Sequence, residues 1–124
     1  MAMKFQREAT SDFAITGYTA DSVSVGGVEH RHSLVVSHRA AAQPWNVASF
    51  AEITGTTVFD GTKLQAEIVI LGTGKKLRFP APEALRPLID ARIGFEVMDT
   101  AAACRTYNVL LGEGRQVAAL LLIE

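Results

Sequence analysis

The run from Gly94 to Ile123 restricts the possible fold more than any other part of this chain. Gly94-Phe95-Glu96-Val97-Met98 is a short, largely apolar strand, and Asp99 or Thr100 then opens an amphipathic helix. On a helix beginning near Thr100, residues Ala103, Cys104, Tyr107, Leu110 and Leu111 fall on one side at three- and four-residue spacing. Ala101, Arg105, Asn108 and Gly112 fall on another. Small residues in the first turn let helix and sheet backbones approach closely. A carboxylate at Asp99 can cap free amides and meets the positive end of the helix dipole. Gly112 is placed for the left-handed residue that closes a helix, and the apolar run Val117 to Ile123 supplies the next strand. Strand, helix and strand over so short a span predict a layered α/β arrangement; read locally, the strands near Val97 and Val117 are parallel through a right-handed crossover, and the direction of the last strand stays open.

Upstream, Gln65 to Leu71 reads as a strand whose continuous apolar end predicts burial on both faces, as in a central parallel strand. Pro82 starts a helix, and Pro87 predicts a kink or two short helical pieces. Leu85, Leu88, Ile89 and the stem of Arg92 form its expected inward stripe. Nearer the N-terminus, Phe13 to Tyr18 reads as a first strand. Ser22 to Val25 and Val28 to His32 flank Gly26-Gly27, a strong hairpin signal because tight hairpin turns need positive φ. A two-residue loop sets Val25 against Val28 and Val23 against His30. Ser33 to Ser37 continues as extended chain, and Ala40 to Trp45 is a connector in which Pro44 pushes Gln43 toward extended geometry. Ser49-Phe50-Ala51-Glu52 has capping-box spacing and predicts a short helix. The segment from Gly55 to Asp60-Gly61 gives no clear assignment. Residues 1–12 read as a loose lead-in to a domain over 13–123, and nothing divides 1–124 into two.

At 124 residues, nearly half of them apolar, the chain can bury a core without staples. A formal charge of −1 argues against a nucleic-acid partner, which a basic surface would favour. Cys104 is the only cysteine, so an intrachain disulfide is excluded and a reducing compartment is the natural reading. The polar start Met1-Ala2-Met3-Lys4-Phe5-Gln6-Arg7-Glu8 lacks a signal peptide's apolar segment, and no apolar run approaches the ~20 residues of a membrane span. The expectation is a soluble, cytoplasmic protein, monomer or weak homodimer, with no membrane insertion, no cofactor and no bound metal.

Few residues suggest chemistry. Gly72-Thr73-Gly74 after a buried strand invites a phosphate-loop reading, but the third glycine or Gly-Lys-Ser/Thr running into a helix is missing. A tight strand-ending turn needing positive φ explains it better, while Lys75-Lys76-Leu77-Arg78 keeps an anion pocket of turn amides and cations open. His30, His32 and His38 lack the cysteine or carboxylate pattern that completes a tetrahedral metal set. Cys104 shares a helix face with Tyr107 and Leu111, which makes it a small buried hydrophobe rather than a nucleophile. Glu96 and Asp99 do not have the relation of paired catalytic carboxylates, so no catalytic residue is assigned. Arg105 and Asn108 form a polar stripe on an otherwise aliphatic helix. That stripe is either a solvated or loop-pinning face, or a contact patch for a ligand or partner.

Ile70-Leu71-Gly72-Thr73-Gly74, Arg78-Phe79-Pro80, Gly94 to Thr100, Ala103 to Asn108 and Leu111-Gly112-Glu113-Gly114-Arg115 together resemble a family of small α/β domains of unknown function. That family has bacterial and archaeal members and includes the mitochondrial respiratory complex I assembly factor (NADH dehydrogenase alpha subcomplex assembly factor). The resemblance spans residues 66 to 123, and the front half shares it more loosely through the Gly-Gly hairpin and Trp45. It implies a single-domain, three-layer sandwich with a mixed central sheet, here with an N-terminal β-hairpin region, and no known catalytic residues. It also implies a non-enzymatic protein-interaction or assembly-factor-like role, with protein partners. Gly72, Thr73, Gly74, Arg105 and Asn108 are the candidate ligand- or partner-binding residues. The alternative is a small anionic-ligand binder or an uncharacterised enzyme using the same turn and Arg105.

Overall fold

The computed structural model describes residues 13–124, so the expected lead-in over 1–12 lies outside the described residues. Strands β1 (Ile15–Thr19), β2 (Ser22–Val25) and β3 (Val28–His30) form a small antiparallel sheet. The Gly26-Gly27 turn has φ of 56° and 86°, and it sets Val25 opposite Val28 and Val23 opposite His30, the register the two-glycine loop predicts. A second, five-stranded sheet has the order β5-β4-β8-β6-β7. Its members are β4 (Leu34–Ser37), β5 (Gln43–Pro44), β6 (Ile68–Gly72), β7 (Gly94–Met98) and β8 (Val117–Leu121). The helices are α1 (Gly55–Val58), α2 (Pro82–Asp90) and α3 (Thr100–Gly112), with 3-10 turns at Phe50–Glu52 and Phe59–Lys63.

Strand β6 runs parallel to both β7 and β8, which settles the open direction of the last strand: the two strands flanking α3 are parallel, with β6 between them. The antiparallel members of this mixed sheet come from the front half of the chain: β4 pairs antiparallel with β8 and with β5.

Period-two alternation along the central strands divides the interior into two cores. Leu34, Val36, Ile70, Val117, Ala119 and Leu121 point to one face, where α3 and the small sheet contribute Cys104, Tyr107, Leu111, Ile15, Val23 and Val25. Val35, Val69, Leu71, Ala118, Leu120 and Leu122 point to the other, against Trp45, Ile53, Val58, Ala84 and Leu88. The result is three layers. Burying a large aliphatic side chain stabilises by about 1.5–3 kcal/mol. Ile70, Leu71, Leu120 and Leu121 are all fully buried, which makes the β6–β8 pair the stability centre.

Several local expectations are corrected. The unassigned stretch is helical, as α1 followed by a 3-10 turn, and tertiary contact holds it: Trp45 Nε1 donates to Thr57 O at 3.0 Å. The predicted capping box is absent at Ser49, where no side-chain cap forms and Glu52 instead accepts from Ala48 N at 2.7 Å. α2 is one nine-residue helix containing Pro87 rather than two pieces. It buries Ala84 and Leu88, while Ile89 is 53% exposed and Arg92 is exposed, because the buried face is turned toward Ala84. Gly112 is the last helical residue. The left-handed position is Gly114, φ 79°, and the Gly114 and Arg115 amides bond back to Leu111 O and Leu110 O.

Candidate functional site

Helix α3 starts where three chain segments meet. Asp99 caps it as expected, its Oδ1 accepting from Ala102 N at 2.8 Å. Thr100 Oγ1 donates to Leu122 O at 2.7 Å and accepts from Gly74 N at 2.8 Å. Its own amide bonds Gly74 O at 2.9 Å. One hydroxyl thus ties the end of β8, the turn after β6 and the first turn of α3 together.

The glycine turn fits this junction tightly. A Cβ on Gly72 would lie 2.9 Å from Thr100 Oγ1, 3.0 Å from Thr100 Cα and 3.2 Å from Ala103 Cβ. Gly74 has φ 97°, the positive-φ turn residue the sequence predicts. Thr73 is fully buried; its hydroxyl donates to Lys76 O at 2.8 Å and accepts from Arg78 N at 3.1 Å. The turn amides are already engaged. Thr73 N donates to Met98 O, Gly74 N to Thr100 Oγ1, and Lys75 N reaches Glu124 Oε1 at 3.5 Å. The anionic partner at this turn is the chain's own Glu124, whose Oε2 accepts from Arg78 NH2 at 3.0 Å. That hydrogen bond, foremost, holds the Glu124 carboxyl below its ordinary range.

Beside this junction lies a concavity of about 370 Å³ between the small sheet and the start of α3. Buried Val23, Leu122 and Ile123 line it together with Ala101, while exposed Tyr18, Lys75 and Glu124 also border it. Its volume lies within the range of small-ligand and side-chain pockets, roughly 300–1,000 Å³. Lys75 Nζ pairs with Asp21 Oδ1 at 3.5 Å, linking the turn after β6 to the β1–β2 turn through two well-exposed side chains.

The five candidate residues separate in this geometry. Gly74 borders the concavity, whereas Gly72 and Thr73 are buried and do not line it. Arg105 is exposed and adjoins it through Tyr18, donating from NH1 to the Tyr18 hydroxyl at 2.7 Å. Asn108 pins a strand instead: Ile15 N donates to its Oδ1 at 2.9 Å, and its Nδ2 donates to Ile15 O at 2.6 Å. Sequence reasoning misses Tyr18, Ala101 and Ile123, which lie far apart in the chain and carry no motif, and reaches Lys75 only as a cation after the glycine turn.

The remaining candidates are accounted for by packing. Cys104 is buried, and desolvation pushes its thiol up to about 12 against the opposing charge of Arg105. Tyr107 is buried beside it; desolvation raises its phenol, which donates to Phe13 O at 2.9 Å. His30 and His32 meet edge-on with ring centroids 5.7 Å apart, and His38 Nδ1 lies 3.3 Å from Val117 O. Among the described residues no group of three or more His, Cys, Asp or Glu is placed to hold a metal ion. No described helix is long and apolar enough to cross a membrane.

Known proteins share this architecture and sequence. The chain is 33% identical over 119 residues to a cattle NADH dehydrogenase [ubiquinone] 1 alpha subcomplex assembly factor 3, covering 94% of this chain and 64% of the cattle protein. It thus spans less than two thirds of the length of that relative. An uncharacterized protein of Rhodobacter capsulatus is 35% identical over 109 residues, covering 87% of this chain and 82% of its own. The crystal structure of a Bordetella parapertussis protein superposes with a TM-score of 0.87 at 34% identity, covering 94% of this chain and 99% of that one. A sequence profile described as a protein of unknown function (DUF498/DUF598) matches residues 15–122, and with the fold and these relatives in agreement the chain belongs to that family.

Proposed function

We propose that this protein is a non-enzymatic docking module of the assembly-factor kind, and that its partner protein engages the concavity between Tyr18, Lys75 and Ala101. The observation that carries the reading is the arrangement of that hollow: an apolar interior of Val23, Leu122 and Ile123, bordered by groups able to hydrogen-bond. Such a hollow suits an inserted apolar side chain of a partner, with Arg105, Tyr18 and Lys75 satisfying polar groups around it. The name of the cattle relative supports an assembly role of the same general kind. The role on this reading is to hold a partner rather than to transform it, and the protein works in the cytoplasm as a monomer or weak homodimer.

The second reading, a small anionic ligand or substrate held at Gly72-Thr73-Gly74 and Arg105, has less support. Thr73 N and Gly74 N are spent on internal acceptors, and Glu124 already answers Arg78.

Affinity capture with the wild-type chain, Arg105→Ala and Ala101→Trp separates the two. The docking reading expects one partner recovered by wild type and lost with Ala101→Trp, which fills the hollow. Equal recovery by all three chains contradicts it. A rise in melting temperature with phosphate or carboxylates, abolished by Arg105→Ala, would favour the anion reading instead.

A further inference from the structure

The sheets have four edges, and three of them are closed off. β5 is two residues long and contains Pro44. β3 has three residues. β1 is irregular between Ile15 and Gly17, and the Asn108 side chain occupies both backbone groups of Ile15. Short length, proline, charged side chains, bulges and covering groups are the usual devices that prevent an edge from pairing with foreign chains. Among the described residues β7 has only one of them, the charge of Glu96. It is five residues long, pairs with β6 in one unbroken register from Ile68↔Gly94 to Gly72↔Met98, and contains neither proline nor lysine.

The outward groups of this edge follow from the bonds on its inner side. Gly94 N donates to Glu67 O at 3.0 Å, and Met98 O accepts from Thr73 N at 2.9 Å. In a parallel ladder alternate residues turn their amides to the same neighbour, so Gly94, Glu96 and Met98 face β6. Phe95 and Val97 therefore turn their N–H and C=O groups away from the sheet, and no described residue bonds to them. Glu96 is exposed between them and forms no ion pair among the described residues.

We infer that the outer edge of β7 is a strand-addition site for an extended segment of another protein carrying a basic residue opposite Glu96. A second copy of this chain is the poorer occupant. The antiparallel pairing that uses both outward residues of each copy sets Phe95 against Val97 and Glu96 directly against the Glu96 of the second copy. Like charges directly opposite destabilise such a pair, whereas a lysine or arginine there is favourable. Main-chain bonds from Phe95 and Val97 supply affinity, and Glu96 supplies selectivity. The inference uses different residues from the concavity beside α3 and stands without it.

The test uses the full chain and two end-blocked peptides, VTVKVTV and VTVEVTV, with hydrogen exchange read at individual amides. The lysine peptide is expected to protect the Phe95 and Val97 amides and to bind about fivefold more tightly than the glutamate peptide, the upper range of a cross-strand charge pair. Glu96→Lys, an exposed change, is expected to reverse that preference at unchanged melting temperature. Val97→Pro removes an outward donor without touching the β6 ladder and is expected to abolish binding of either peptide. The inference is overturned by any of three results: neither peptide protects these amides; the preference survives Glu96→Lys; or both amides are already protected without peptide, by a second copy or by the chain itself.

Discussion

Asn108 closes on the backbone of Ile15 with both ends of its amide, accepting from N–H at 2.9 Å and donating to C=O at 2.6 Å across 93 residues of chain. Through this side chain α3 grips the edge strand of the small sheet, beside the apolar contacts of Ile15, Val23 and Val25 with Cys104, Tyr107 and Leu111. Arg105, one turn earlier, meets the same strand at Tyr18.

Asn108→Ala leaves both backbone groups of Ile15 without their partner. Unsatisfied, partly buried polar groups cost about 1–3 kcal/mol, and the denaturant midpoint should fall accordingly. Amide exchange should quicken over Ile15 to Val25 before it does over Val117 to Leu121. A uniform change across both sheets would contradict the pinning role.

Gly72→Ala forces a methyl into Thr100 and Ala103, where backbone as well as side chain is in the way. We expect a loss of about 1–3 kcal/mol by chemical denaturation, the usual range for overpacking a tight site. Gly112→Ala is the control: nothing lies within 4 Å of its added Cβ, and the helix should gain up to ~1 kcal/mol.

Cys104 makes the protein sensitive to alkali. Burial raises its thiol from 9.0 to about 12, so the folded chain keeps a proton that the unfolded chain releases. Stability is therefore full below about pH 8.5 and falls through the window up to pH 12, at most by ~1.4 kcal/mol per pH unit. Tyr107 is raised in the same direction and adds to the loss above about pH 10. Melting temperature against pH should drop beyond pH 9 in wild type, and Cys104→Ala should flatten the curve between pH 9 and 10. An unchanged slope in that variant would disprove the assignment.

How far the sequence disclosed this structure depended on how local each cause was. The hairpin register needed only Gly26-Gly27, and α3 needed only its three- and four-residue spacing and Asp99. Both causes lie within a few residues of their effects. The helical turns over 55–63 escaped notice because their stability comes from Trp45 and the second core, not from periodicity. The left-handed residue falls at Gly114 rather than Gly112 because the helix continues through Gly112 and closes only where the Gly114 and Arg115 amides bond back to Leu111 O and Leu110 O. The candidate site was legible in part. Gly74, Lys75 and Arg105 adjoin the concavity, but Tyr18, Ala101 and Ile123 meet there only through the order of strands in the two sheets. The polarity that marks Asn108 on an aliphatic helix serves the fold, through Ile15.

Arg105→Ala should separate binding from stability. The side chain is exposed and bonds a tyrosine that is 39% exposed, so the denaturation midpoint should not move, while partner binding should weaken. A large loss of stability would make Arg105 a structural residue and remove it from the docking surface.

Docking at the concavity is tested most directly by cross-linking from within it. A photoreactive benzoylphenylalanine at Ala20, which lines the hollow, is compared with one at Val28, which is 60% exposed on the hairpin. The account predicts a covalent adduct with one partner protein from position 20, absent from position 28 and lost when Ala101→Trp is added at unchanged melting temperature. Identical adducts from both positions, or an adduct from position 20 that survives Ala101→Trp, would contradict it.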